Sequence, residues 1–152
     1  MTSRSAEPYA TTVVRRNGVR TLRALLGLDA IASGALGVVL AAASGLLDDA
    51  SGLPSTLLVP AGLLLVVFAA FVAYSATRPM PSRASVWAIV EMNVLWVLAS
   101  VVIVMAGWFS PTTLGSAFVL LQATVVAVFA GGQYAALRRI GAPDRPVAEG
   151  DS

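Results

Sequence analysis

The sequence predicts an all-α integral membrane protein built as an antiparallel bundle of four transmembrane helices. Hydrophobic residues make up 57% of its 152 positions and charged residues only 12%, which is about half the charged fraction of a soluble domain. Four apolar runs each exceed the ~20 residues that a helix needs to cross a bilayer. All ten basic residues are arginines, and all of them fall on one side of a four-span topology.

The four apolar runs define the predicted elements. None has the period-two alternation of a barrel strand, and only helices and closed barrels satisfy backbone hydrogen bonds inside lipid. The predicted helices cover about residues 22–47, 56–77, 85–108 and 112–137. They form one transmembrane domain over residues 21–139, between polar tails at 1–20 and 140–152.

The connections between the runs carry turn and capping residues. Ser55, Ser82 and Ser110 each precede an apolar run and are predicted as N-caps of the second, third and fourth helices. Pro111 follows Ser110 at a position suited to the first turn of a helix. Because all three connections are short, neighbouring helices are expected to run antiparallel.

The arginines set the expected orientation. They precede the first helix, occupy the middle loop or follow the last helix, and positively charged loops stay in the cytoplasm. We therefore expect a multi-pass protein of a bacterial cytoplasmic (inner) membrane with both termini cytoplasmic. The bacterial source is suggested by the Ala-, Val-, Leu-, Gly- and Arg-rich composition.

A cleavable signal peptide is the competing interpretation of the first run, because Ala41–Ala43 resembles a small-residue cleavage site. The run is long and contains Asp29, and its removal would leave three spans and divide the arginines between both sides. An uncleaved first helix is the preferred prediction.

The two halves of the chain also suggest two tandem two-helix repeats. Residues 59–78 align with residues 119–138 at a constant offset of sixty, and both segments end in Tyr-x-x-x-Arg. Asp29 in the first helix and Asn93 in the third are expected at similar depth. Such repeats would insert in the same direction, around an axis along the membrane normal.

Polar residues inside the spans define a candidate intramembrane site. Asp29 lies six residues beyond Arg23, a rise of about 9 Å, and charges at such depth usually face the interior of a bundle. The candidate site comprises Asp29, Glu91, Asn93, Gln122, Gln133 and Tyr134. The alternative is a purely structural role, in helix-packing hydrogen bonds or in ion pairs with Arg78 or Arg138. Asp29 is predicted to face the third or fourth helix rather than lipid.

Small residues recur at multiples of four positions on two helices, which allows close approach of backbones. Ser33, Gly37, Ala41 and Gly45 follow Asp29 on the first helix and are predicted at a helix contact. A second stripe on the fourth helix comprises Gly115, Ala123, Ala127, Gly131 and Ala135. The two stripes are expected to meet inside a left-handed bundle, with contact to a second chain as the alternative. Trp96 is expected to pack inside the bundle, or else to line a ligand cavity.

Composition restricts the chemistry that the chain can perform. It contains no Cys, His or Lys, and no metal-binding or catalytic motif is present, so we expect neither an enzyme nor a metal or cofactor site. The expected function is an accessory or scaffold subunit that binds lipid or a partner's helix. The alternative is a small proton- or cation-coupled transporter or channel that uses Asp29 and Glu91. Expected partners are membrane lipids, further copies of the chain or another membrane protein, but not nucleic acid.

Overall fold

The computed structural model describes residues 7–141, and in that part of the chain it contains five helices and no strand. Four of these helices are long and apolar enough to cross a membrane, which confirms the predicted fold class of a helical membrane bundle. The helices are α1 (Glu7–Ala42), α2 (Ser44–Ser51), α3 (Ser55–Thr77), α4 (Arg83–Ala106) and α5 (Thr113–Gly141).

The first helix differs from its predicted range at both ends. It begins at Glu7, inside the predicted tail, and its 36 residues extend over about 54 Å. This length exceeds what is needed to cross a ~30 Å hydrocarbon core once. The helix stops at Ala42, and Ala43 (φ −107°, ψ 18°) separates it from the short α2. The remainder of the two predicted tails, 1–6 and 142–152, lies outside the described residues.

One of the three predicted N-caps is confirmed. The Ser82 hydroxyl accepts a hydrogen bond from the Ser85 backbone N–H at 3.0 Å and caps α4. The prediction for Ser55 is wrong, because Ser55 is the first residue of α3. Its N–H and its hydroxyl both donate to Oδ2 of Asp48 at 3.0 Å. An acidic side chain from α2 therefore serves the start of α3, where the helix dipole favours negative charge.

The prediction for Ser110 is also wrong, because Ser110 adopts a left-handed φ of 49° and α5 begins only at Thr113. Thr112 takes its place, with Oγ1 accepting from the Gly115 N–H at 3.0 Å. Thr112 also donates its N–H to the Ser51 carbonyl at 2.8 Å. The last turn of α2 therefore fixes where α5 starts, which a local sequence pattern does not reveal.

The most extensive helix contact lies between α1 and α3 and includes two facing glycines. A Cβ atom on Gly37 would lie 2.7 Å from the Gly62 carbonyl oxygen, and one on Gly62 would lie 2.7 Å from the Ala41 nitrogen. These distances confirm that Gly37 and Ala41 lie at a close contact. Gly45 was wrongly included in this contact, because it lies in α2 with nothing within 4 Å of its added Cβ.

The small residues of α5 do not form one packing surface. Gly115 packs directly on the Ser51 backbone, and Ala123 is buried. Ala127, Gly131 and Ala135 are exposed on the outside of the bundle. The prediction that the stripes of α1 and α5 meet along their length is wrong, since the glycine contact of α1 is made with α3.

The buried core divides into two halves along the bundle. The end of the bundle that carries Arg23, Arg78, Arg83 and Arg138 is here called the arginine end. Its half is filled by side chains of all four long helices, among them Leu26, Val72, Ile89 and Leu137. The opposite half has a separate cluster that includes Leu40, Leu53, Leu58, Leu65 and Val119. α1 packs on α3 and α5, and α4 packs on α5, whereas α3 and α4 barely contact each other. The bundle therefore has a gap between α3 and α4.

Candidate functional site

A buried polar cluster joins α1, α4 and α5 in the half nearer the arginine end. Asp29 is fully buried, and its carboxyl group accepts hydrogen bonds from three side chains. Oδ1 accepts from the Ser33 hydroxyl at 3.1 Å. Oδ2 accepts from Nδ2 of Asn93 at 2.9 Å and from Nε2 of Gln133 at 2.7 Å. The prediction that Asp29 faces the interior, near the third or fourth helix, is confirmed.

All three donors to Asp29 are neutral groups, so the alternative of pairing with Arg78 or Arg138 is not realised. Nδ2 of Asn93 also donates to Oε1 of Gln133 at 3.4 Å, so Asp29, Asn93 and Gln133 form a hydrogen-bonded ring. No buried side-chain nitrogen or oxygen lacks a hydrogen-bond partner among the described residues. A cluster satisfied in this way holds three helices in one rotational setting, because any turn of a helix would strand a buried donor.

A second polar cluster connects α4 and α5 closer to the opposite end. Nε1 of Trp96 donates to Oε1 of Gln122 at 2.9 Å, and Nε2 of Gln122 donates to the Ser100 hydroxyl at 3.1 Å. The order of the two bonds fixes the orientation of the Gln122 amide, since an indole nitrogen can only donate. Trp96 packs inside the bundle, as predicted, and it also lines a cavity.

This cavity has a volume of about 490 Å³ and lies at the gap between α3 and α4, in the half opposite the arginine end. Its walls are almost entirely apolar. They include Leu36 and Leu40 of α1, Leu57, Ala61 and Leu64 of α3, Met92, Leu95, Ala99 and Ile103 of α4, and Phe118 and Val119 of α5. Leu64, Leu95 and Ala99 are also exposed on the outside of the bundle. The cavity therefore opens sideways, toward the lipid.

Different parts of the chain border the two ends of the cavity. Leu47, Ser51 and Leu53, from α2 and the residues that follow it, cover the end away from the arginines. Toward the arginine end lies the packed core cluster, and a void of about 20 Å³ lies between the two polar clusters. Ser33, Asn93 and Trp96 line this void.

The six residues of the predicted intramembrane site are divided among three places. Asp29, Asn93 and Gln133 meet in the first polar cluster, and Gln122 belongs to the second. Glu91 and Tyr134 are exposed on the outside of the bundle. Glu91 is exposed although Asn93 is buried, because residues two positions apart on a helix point about 160° away from each other.

Tyr134 belongs to a rim of aromatic and arginine side chains at the arginine end. The Arg138 guanidinium lies 5.7 Å from the centre of the Tyr134 ring, and the Arg78 guanidinium lies 4.2 Å from the centre of the Tyr74 ring. Trp87 packs edge-on against Tyr134 at 5.6 Å. In both Tyr-x-x-x-Arg segments the guanidinium therefore lies over the tyrosine ring, as expected where a membrane helix enters the headgroup region.

The α3 wall of the cavity was missed by the sequence analysis. Ala61, next to Pro60 on α3, lines this wall, and a small residue on an apolar helix was the available signal for a recess. Within the described part of the chain, acidic side chains do not come together as a metal site. No protein-family model, curated protein or solved structure matches this chain. Function must therefore be inferred from the two clusters and the cavity alone.

Proposed function

We propose that this chain is a non-enzymatic membrane protein that holds the hydrocarbon tail of a membrane lipid in the cavity between α3 and α4. The observation that carries the proposal is an apolar cavity that opens toward lipid through a gap between two helices. Its volume of about 490 Å³ falls within the ~300–1,000 Å³ typical of small-molecule sites. A tail that enters this cavity from the bilayer moves between two apolar surroundings, so it needs no contact with water on the way.

A single tail suits the cavity better than a partner's transmembrane helix. A transmembrane helix is about 10 Å wide with its side chains and crosses the whole ~30 Å hydrocarbon core. To dock, it therefore needs a wide groove along the whole height of the bundle. Here the recess occupies one half, and the packed core around Phe68, Val72 and Ile89 fills the other. The residues that cover the end away from the arginines, among them Leu47 and Leu53, also limit the length of an occupant.

Filling the mouth of the cavity is expected to abolish tail binding. Ala61→Phe places a ring among the lining residues, and we expect lipid affinity to fall at least about tenfold. Binding is measured as quenching of Trp96 fluorescence by a dibrominated lipid, in a Trp87→Phe, Trp108→Phe background. Ala73→Phe, on the exposed surface of the same helix, is the matched control. Equal, saturable quenching in both variants would contradict the proposed site.

The arginine end is proposed to face the cytoplasm of a bacterial cell. Arg20, Arg78, Arg83 and Arg139 lie at this end and are exposed, and positive charge is retained on the cytoplasmic side of inner membranes. A reporter enzyme fused after Ser152 is therefore expected to read cytoplasmic, whereas one inserted at Gly107 should read periplasmic. The reverse pair of results would overturn the orientation.

A proton- or cation-coupled transporter remains the second candidate. Its support is Asp29, a buried carboxyl group whose hydrogen-bond donors are all neutral. Its original premise of two cooperating carboxyl groups is weakened, because Glu91 is exposed and separate from Asp29. Flux in proteoliposomes that Asp29→Asn abolishes without unfolding the protein would favour this candidate over tail binding.

A further inference from the structure

The cavity contains a polar position that a plain hydrocarbon tail does not use. Its polar lining groups are Ser51, Trp96, Ser100 and Gln122, and none of the described lining residues is charged. The Ser51 hydroxyl is occupied, since it donates to the Leu47 carbonyl at 2.6 Å and accepts from the Leu53 N–H at 3.2 Å. The second polar cluster is therefore the part of the cavity with capacity for a ligand.

Within that cluster, the groups with unused hydrogen-bonding capacity are mainly donors. For comparison, three hydroxyl groups elsewhere in the bundle, those of Ser51, Ser75 and Thr124, donate to the carbonyl four residues earlier, at 2.6, 3.0 and 2.8 Å. Ser100 instead accepts from Gln122, and no group among the described residues accepts its hydroxyl hydrogen. The Gln122 amide nitrogen carries two hydrogens, and one of them goes to Ser100.

The Trp96 indole explains why the donors of Gln122 point this way. It donates to Oε1 of Gln122, which directs the amide nitrogen toward Ser100 and away from Trp96. The second amide hydrogen of Gln122 and the hydroxyl hydrogen of Ser100 thus have no acceptor among the described residues, and both residues line the apolar cavity. Two adjacent donors match an oxygen with two lone pairs, as in a carbonyl group.

Depth and charge restrict the class of ligand further. Ser100 lies six residues before the end of α4, so it is about 9 Å below that helix end. A phosphate or carboxylate at this depth would lose its hydration without gaining a countercharge, which is costly. An uncharged carbonyl loses far less hydration and gains hydrogen bonds.

We propose that the cavity selects an uncharged lipid whose head carries a carbonyl oxygen, bound by the Ser100 hydroxyl and the Gln122 amide. The inference rests on the tail-binding function proposed above and adds the chemistry of the head group. An acyl ester and a quinone share this chemistry, namely a neutral carbonyl acceptor joined to a hydrocarbon tail.

The test compares four probes that share the same kind of hydrocarbon tail and differ in the head group. Delipidated full-length protein in detergent is loaded with tritiated dodecane, which is then displaced by unlabelled dodecane, methyl dodecanoate, a dodecyl benzoquinone or dodecanoate ion. We expect one or both carbonyl probes to displace the label at about tenfold lower concentration than dodecane, from hydrogen bonding alone. The tighter of the two identifies the ester or the quinone as the source of the carbonyl.

Ser100→Ala is expected to reduce the preference for the carbonyl probe over dodecane about fivefold. Ser100→Thr keeps the hydroxyl and should keep the preference. Equal affinity for dodecane and both carbonyl probes would overturn the inference but leave tail binding intact, as would tightest binding of dodecanoate ion. Absence of saturable dodecane binding would overturn the proposed function and the inference with it. The wild-type probe series decides these outcomes even if a variant fails to fold.

Discussion

Gly37→Leu is expected to lower the free energy of unfolding by about 3 kcal/mol, at the upper end of the usual cost of overpacking. Even a single Cβ atom at this position would lie 2.7 Å from the Gly62 carbonyl oxygen and 3.0 Å from the Leu65 Cβ. The leucine side chain can only be accommodated if α1 and α3 move apart. Because lipid provides no hydrophobic drive between helices, the separated pair recovers little of the lost contact.

The measurement is unfolding in detergent followed by circular dichroism, which needs no thiol label and suits a chain without cysteine. Gly131→Leu is the matched control, since Gly131 is exposed on α5 and nothing lies within 4 Å of its added Cβ. We expect that variant to stay within about 0.5 kcal/mol of the wild type. If both leucine variants unfold alike, the α1–α3 contact does not hold the bundle together.

Asp29→Leu is expected to destabilise the protein by about 2–4 kcal/mol, because it removes the acceptor of three buried donors. Asp29→Asn is expected to stay within about 1 kcal/mol of the wild type. Its amide oxygen can replace Oδ2 as the acceptor for Asn93 and Gln133, and its nitrogen can donate to the Ser33 hydroxyl. The two substitutions therefore separate loss of the hydrogen-bonded cluster from loss of the carboxyl group.

Glu91→Leu is the control for this pair, since Glu91 is exposed on the outside of α4. It should leave the free energy of unfolding within about 0.5 kcal/mol of the wild type. Equal destabilisation by Asp29→Asn and Asp29→Leu would mean that the negative charge itself stabilises the cluster. Unchanged stability in Asp29→Leu would show that the cluster does not hold α1, α4 and α5 together.

The helix ends illustrate how far local signals reach. Ser82 caps α4 as its sequence context predicts, because its partner Ser85 is three residues away. The starts of α3 and α5 depend instead on Asp48 and Ser51 in α2. Those contacts exist only once α2 has been placed against the two following helices, so the serine pattern alone misidentified the caps.

The candidate site shows the same contrast between what a local sequence pattern reveals and what depends on tertiary contacts. The sequence identified Asp29, Asn93, Gln122 and Gln133 as polar side chains inside the membrane, and all four take part in hydrogen bonds between helices. It did not identify which of them meet. Asn93 is 64 residues from Asp29 and Gln133 is 104 residues away, so their meeting depends on the rotation of three helices about their axes.

By itself, the sequence determined that this is a helical membrane protein with four long apolar helices and its arginines clustered at one end. These properties follow from helix length and from backbone hydrogen bonding in lipid, both of which are set within a short segment. Only the tertiary structure decided that α1 meets α3 at Gly37 and that a cavity opens between α3 and α4. Because α3 and α4 carry apolar residues on both their buried and their exposed faces, hydrophobicity alone does not mark their inward side. Packing of small residues and pairing of buried polar groups set it instead.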